Sequence, residues 1–111
     1  MRGMDAATGR AIDGLAHLRQ SVADILTTPI GTRVHRREYG SELPRLVDRP
    51  VNEALLVDLY AATAAALDRW EPRIRVRRVR VESAAPGRVE LTVEGRYTVD
   101  GREVRLEGIV V

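Results

Sequence analysis

A single change of hydrophobic period, at Pro72, decides what these 111 residues can build. Before it, Leu55, Leu56, Leu59, Thr63, Ala66, Leu67 and Trp70 recur at three- and four-residue spacing and lie along one face of a helix. Three consecutive alanines from Ala64 favour that helix, and Pro72, with its fixed φ and no amide proton, ends it. Beyond Pro72 the spacing is two. Ile74 and Val76 point one way, whereas Val79 and Val81 have slipped by one residue, which predicts a β-bulge near Arg77 and Arg78. Val89, Leu91 and Val93 alternate onward through Tyr97 and Val99. Asp100-Gly101 reads as a two-residue hairpin turn, and Val104, Leu106 and Val110 alternate after it.

The first half is helical by the same reasoning. Residues 1–12 are small, polar and glycine-bearing and read as a flexible arm. Asp13 is the expected N-cap of a helix whose stripe is Leu15, Leu18, Val22, Ile25 and Leu26. That helix should end near Thr27, because Pro29 disfavours helical backbone at Thr28. Ser41 is placed to cap a short helix reaching Val47, before Asp48 and Pro50 interrupt it, and Asn52 begins the second long helix. The expected fold is α+β: two long helices and a short one packed on a C-terminal antiparallel three-stranded meander. It would occupy residues 13–111 as one domain, helical over 13–71 and β over 73–111.

Several function classes recede on composition. With no cysteine, disulfides and thiolate metal sites are excluded, and intracellular assembly is the expectation. The first residues lack the apolar core of a signal peptide, and no apolar run approaches the ~20 residues needed to span a bilayer, so no membrane partner is expected. Every basic side chain apart from two histidines is arginine, yet the net charge is only +2, because acids are well mixed among them. IRVRRVRV, Ile74 to Val81, alternates arginine with β-branched residues as a half-buried strand does, and it has no stacking aromatics, so nucleic acid is not the expected ligand. His17 and His35 fall on different elements with no acidic cluster beside them, and no phosphate-binding glycine loop occurs, so no metal or cofactor is implied. A glycosidase would need a carboxylic acid of raised pKa and a second carboxylate across a cleft. Glu71, between Trp70 and Pro72, is the one carboxylate in an apolar setting, and nothing in the spacing selects its partner from Glu38, Glu42 or Asp48.

Three punctuated motifs remain: LTTPIGTR at 26–33, REYGS at 37–41 and WEPRI at 70–74. Gly31 and Gly40 suit backbone angles that a side chain would forbid, and Tyr39 is an amphipathic anchor among arginines. Glu71 and Arg73 flank a rigid proline, and an extended backbone would project both heads to one side, where they suit bidentate pairing with a partner chain or plain solvation. In this order the motifs resemble the baseplate wedge family of contractile phage tails, which includes baseplate protein W and the lysozyme-like wedge subunit, with relatives in tailocin and type VI secretion baseplates. The resemblance runs from about Gly3 to about Val81, and Glu71-Pro72-Arg73 is its most specific part.

The resemblance implies a non-enzymatic subunit of a virion tail baseplate, assembled in the host cytoplasm, that joins the wedge core to the sheath and templates sheath assembly. Its partners would be other wedge proteins and the tail sheath protein, with tube or hub proteins as further candidates. Glu71, Pro72, Arg73, Arg33, Glu38 and Tyr39 are then the expected contacts with the wedge core. The chain's last strand ends on apolar β-formers, Gly108 to Val111, with no charged gatekeeper, which indicates a covered edge. Either the strand sits inside the sheet or under a helix, or a partner strand covers it. The resemblance favours the sheath as that partner, at Leu106, Ile109, Val110 and Val111. A tail-associated peptidoglycan glycosidase is the alternative reading, and a small nucleic-acid-binding module a further one.

Overall fold

A computed structural model describes residues 6–85 and 87–111, with side chains from residue 14 onward in those stretches. The order is α1 (Ala6–Thr27), α2 (Leu43–Leu46), α3 (Glu53–Trp70), β1 (Ile74–Ala85), β2 (Arg88–Tyr97) and β3 (Glu103–Val110). The fold is α+β, and the antiparallel sheet has the order β1-β2-β3.

Local chemistry explains most element ends. Asn52 accepts a hydrogen bond from the Leu55 amide at 2.9 Å, as an N-cap should. At the other end Glu71 leaves the helical conformation, and its N–H still closes on the Leu67 carbonyl before Pro72. Ser41 Oγ accepts from the Leu43 amide, although α2 is only one turn and stops at Leu46, short of Val47. The start of α1 corrects the expected arm. The helix is continuous from Ala6, so it passes through Asp13, which is not its N-cap; of the expected arm, residues 6–12 are helix and 1–5 lie outside the described residues.

Leu18, Val22, Ile25 and Leu26 of α1 are all but sealed from solvent against Leu55, Leu59 and Leu67 of α3 and the inner face of the sheet. Burying each such side chain contributes about 2 kcal/mol. Leu56, expected on the same stripe, is instead 42% exposed, because at 100° per residue it turns past the edge of the contact. The expected bulge is present: the β1–β2 register skips Arg77, so Ile74, Val76, Val79 and Val81 all face the core. The β2–β3 hairpin differs from expectation. Tyr97 exchanges bonds with Arg102 and Gly101, which makes a four-residue loop, 98–101, with Val99 at its exposed tip and not on the sheet. A two-residue type I′ turn needs positive φ at both central positions; Gly101 has φ 79°, and among the described residues no non-glycine residue has positive φ.

A polar seam and a sheet edge as candidate binding sites

One flank of α1 carries His17, Ser21 and Asp24 at helical spacing beside the apolar stripe, and the three motifs close onto it. Glu71 leaves α3 with its carboxylate 4% exposed and aimed at this flank. It accepts from Ser21 Oγ at 2.6 Å and, as a fork, from Arg73 Nε at 2.8 Å and Nη2 at 3.1 Å, with the Arg73 amide at 3.3 Å. Arg73 Nη1 reaches 3.3 Å from His17 Nδ1. The Glu71 and Arg73 heads therefore pair with each other and with α1, not with open solvent, because Pro72 turns the chain just enough to bring residues 71 and 73 into bidentate reach.

The same geometry sets the acidity. Burial alone pushes the Glu71 carboxyl up, but bonds from Arg73 and Ser21, the Arg73 amide and the guanidinium charge together hold it below its ordinary value. A glycosidase acid needs the opposite shift.

One helical turn along α1, Asp24 accepts the Tyr39 hydroxyl, and Arg33 approaches the same carboxylate at 3.3 Å. Tyr39 is only 8% exposed, so its ring and hydroxyl are committed within the chain. Desolvation first, then the Asp24 bond and charge, push its phenol up to about 12. The Tyr39 ring meets Trp70 edge-on at 5.3 Å. Guanidinium groups stack around the pair: Arg33 and Arg36 at 4.8 Å from Tyr39, and Arg36 and Arg69 at 5.0 and 5.1 Å from Trp70. Glu38 is exposed and meets Arg69 at 3.2 Å. Pro72 is exposed at the rim.

Loop 28–41, which presents Arg33, Arg36, Glu38 and Tyr39, is tied down by its own bonds. The Ser41 amide donates to the Thr28 carbonyl at 2.9 Å and the Gly31 amide to the Arg37 carbonyl at 2.7 Å. Gly40, at φ 121°, packs so tightly that a Cβ there would stand 2.2 Å from the Thr28 oxygen. Between this loop and α3 lies a groove of about 250 Å³ with Ile30, Ala62, Ala65, Ala66 and Trp70 in its walls.

The second candidate surface is β3, an edge strand. Leu106 and Ile109 point into the core at 5% and 1% exposure, so their side chains are not available to a partner strand, contrary to expectation. Val89 and Val111 exchange both amide bonds; by antiparallel alternation Leu91 and Ile109 are the next bonded pair. The amide and carbonyl of Val110 thus face the open edge, where its side chain is 41% exposed. A bulge at Glu107–Gly108 interrupts the edge, and Arg19 of α1 donates to both of those carbonyls at 2.9 Å. On the outer face, two of the four arginines of β1 stand beside acids: Arg77 pairs with Glu103 at 2.7 Å, while Arg80 and, from β3, Arg105 both stand 3.3 Å from one Glu94 oxygen without hydrogen-bond alignment. That alternation of sign is not a polyanion surface.

Sequence reasoning found the motif residues and missed their receptors on α1, His17, Ser21 and Asp24, as well as Arg19 at the β3 bulge. The only signal was a polar flank beside an apolar stripe, which most surface helices have. Among the described residues no group of three or more His, Asp or Glu stands close enough to hold a metal, and no helix is long and apolar enough to cross a membrane.

Ordered loops locked onto a helix, with a stacked arginine–aromatic face and a strand edge beside it, define a subunit built for assembly with other proteins. The family model described as baseplate wedge protein gp25 matches residues 13–102, and the chain belongs to that family. It is 36% identical over 104 residues to baseplate protein W of Escherichia phage P2, covering 94% of this chain and 90% of that one. A chain in the post-contraction baseplate of pyocin R2 is 52% identical, with a TM-score of 0.63 over 74% of this chain and 83% of that one. A Geobacter sulfurreducens protein provisionally named a tail lysozyme is 28% identical, with a TM-score of 0.72 over 84% and 86% of the two chains. The protein is accordingly a structural wedge component of a contractile tail baseplate, a virion tail part.

Proposed function

We propose that this wedge subunit is a two-sided, non-enzymatic adaptor: the motif face fastens it to the wedge core, and the β3 edge receives a strand from the tail sheath and so sets the start of sheath assembly. The observation that carries the reading is the division of labour around α1. Glu71 and Arg73 hold the turn after α3 against it, and Tyr39 holds the motif loop there through Asp24, leaving Pro72, Glu38, Arg33 and the stacked arginines as the outward surface. The same helix grips the β3 bulge through Arg19, leaving Val110 and Val111 at the open end of the edge. Glu71 supports the non-enzymatic part, since a carboxylate held ionised by three donor groups does not protonate a leaving oxygen.

The test follows from the hydrogen-bond directions. Val110→Pro removes an amide aimed outward, should change the stability of the isolated chain by less than about 1 kcal/mol, and should yield baseplates with unsheathed tubes in electron micrographs. Ile109→Pro removes an amide from the β2–β3 ladder and should lower the unfolding midpoint itself. Glu38→Arg, at an exposed pair worth under about 1 kcal/mol, should leave folding intact and block entry into wedges. Normal sheathed tails from Val110→Pro would remove the edge from the proposal, and normal particles from Glu38→Arg would remove the motif face.

A further inference from the structure

We infer that the outward face of α3 is a docking surface for one amphipathic helix of a neighbouring baseplate protein, a helix with an apolar seam and a basic residue near each end. The inference rests on the chain's place in a baseplate. On α3 the stripe facing away from the core is apolar: Leu56, Val57 and Tyr60 are 42%, 66% and 40% exposed, and Val51 just ahead of the helix is 59% exposed. Residues at positions 56, 57 and 60 adjoin on a helix surface, so they form a patch and not scattered exposures. The stripe continues through Ala61 and Ala64, whose small side chains admit a second helix backbone at close range. It runs into an open groove of about 310 Å³ between α3 and β1, walled by Ala64, Ala65 and Asp68 on one side and Ile74, Arg75 and Val76 on the other.

Charge selects the occupant. Glu53 and Asp68 bracket the stripe, about 22 Å apart along the axis at 1.5 Å per residue. Among the described residues neither is in an ion pair, whereas Asp58, Arg69 and Glu38, which flank the stripe, all are. A second copy of this chain, docked antiparallel through α3, would set Glu53 against Asp68 of the other copy, acid on acid; parallel docking would set each acid against itself. A helix carrying arginine or lysine at the matching separation satisfies both ends.

The chain has no cysteine, so Val57→Cys supplies a unique attachment point. Protein bearing this substitution is assembled into particles in two batches, one with the thiol free and one with a photocrosslinker attached to it, and immunoblotting of purified particles shows separately whether the chain is in the baseplate at all. The expected result is that the introduced thiol reacts with a maleimide at least about tenfold more slowly in particles than in the free chain, a protection worth about 1.4 kcal/mol. The crosslink should fall on a helical segment of another baseplate protein with basic residues on both sides. As a second measurement, Glu53→Arg with Asp68→Arg should leave the urea midpoint unchanged and lower incorporation severalfold. Equal reactivity in particles and free chain, a crosslink to a second copy or to an acidic or non-helical segment, or undiminished incorporation of the double variant would each overturn the inference.

Discussion

At the scale of single residues, Glu71 ties the turn after α3 to α1. Its carboxylate is buried and holds Ser21, Arg73 and the chain reversal at Pro72 together, so a residue expected to meet a partner is a structural one. Glu71→Gln keeps the shape and removes the charge, and should cost about 2 kcal/mol near neutral pH. The sign of the pH dependence follows from a depressed folded-state pKa. The carboxylate's contribution is fully present above its ordinary value of 4.5 and is lost as pH falls through the lower folded value. Urea midpoints of the two proteins should therefore stay apart above about pH 6 and converge in acid. A constant gap down to about pH 2 would mean that the charge is not what the site stabilises. Glu71→Ala with Arg73→Ala, for the same reason, should not leave the isolated domain as stable as the wild type. Two residues of that site were legible in the chain, because a proline between opposite charges is a local pattern. Ser21 and His17 were not, since they lie fifty or more positions away and only the packing of α1 brings them near.

At the scale of elements, loop 28–41 shows how two glycines with the same backbone need can differ in cost. Gly31 has φ 95° with nothing within 4 Å of where a Cβ would stand, and Gly40 has φ 121° with the Thr28 carbonyl in the way. Gly31→Ala should cost about 1 kcal/mol, the strain of a left-handed alanine. Gly40→Ala adds a collision with backbone and should cost at least about 2 kcal/mol more, because the bridge between Pro29 and Ser41 must open. Unfolding midpoints measured side by side decide it, and equal losses would show that the bridge is dispensable. Helix ends read correctly where the signal sits on the terminus itself, as at Thr27, Asn52 and Pro72. The start of α1 and the length of the β2–β3 loop read wrongly. A capping residue can also occur inside a helix, and Asp100-Gly101 suits more than one turn, with Asp100 here accepting from the Arg102 amide at 3.0 Å.

At the scale of the whole molecule, helices and sheet share one core, and Trp70, the single tryptophan, stands where they join. Tryptophan fluorescence and far-ultraviolet circular dichroism should then report one coincident urea transition, and separated transitions would split the domain at Pro72. Spacing and turn chemistry along the chain by themselves determined the α+β class, the order of the elements, the bulge at Arg77 and most of the apolar residues of the core, with Leu56 and Val99 the exceptions. Tertiary structure alone decided which polar groups are spent inside the molecule. Glu71, Arg73 and Tyr39 read as free for a partner, and α1 claims all three; Ile109 read as edge, and its side chain closes the core while Val110 keeps the open amide. A charged or polar group has the same local pattern whether water, its own chain or another protein completes its hydrogen bonds, and only the three-dimensional neighbours supply that partner.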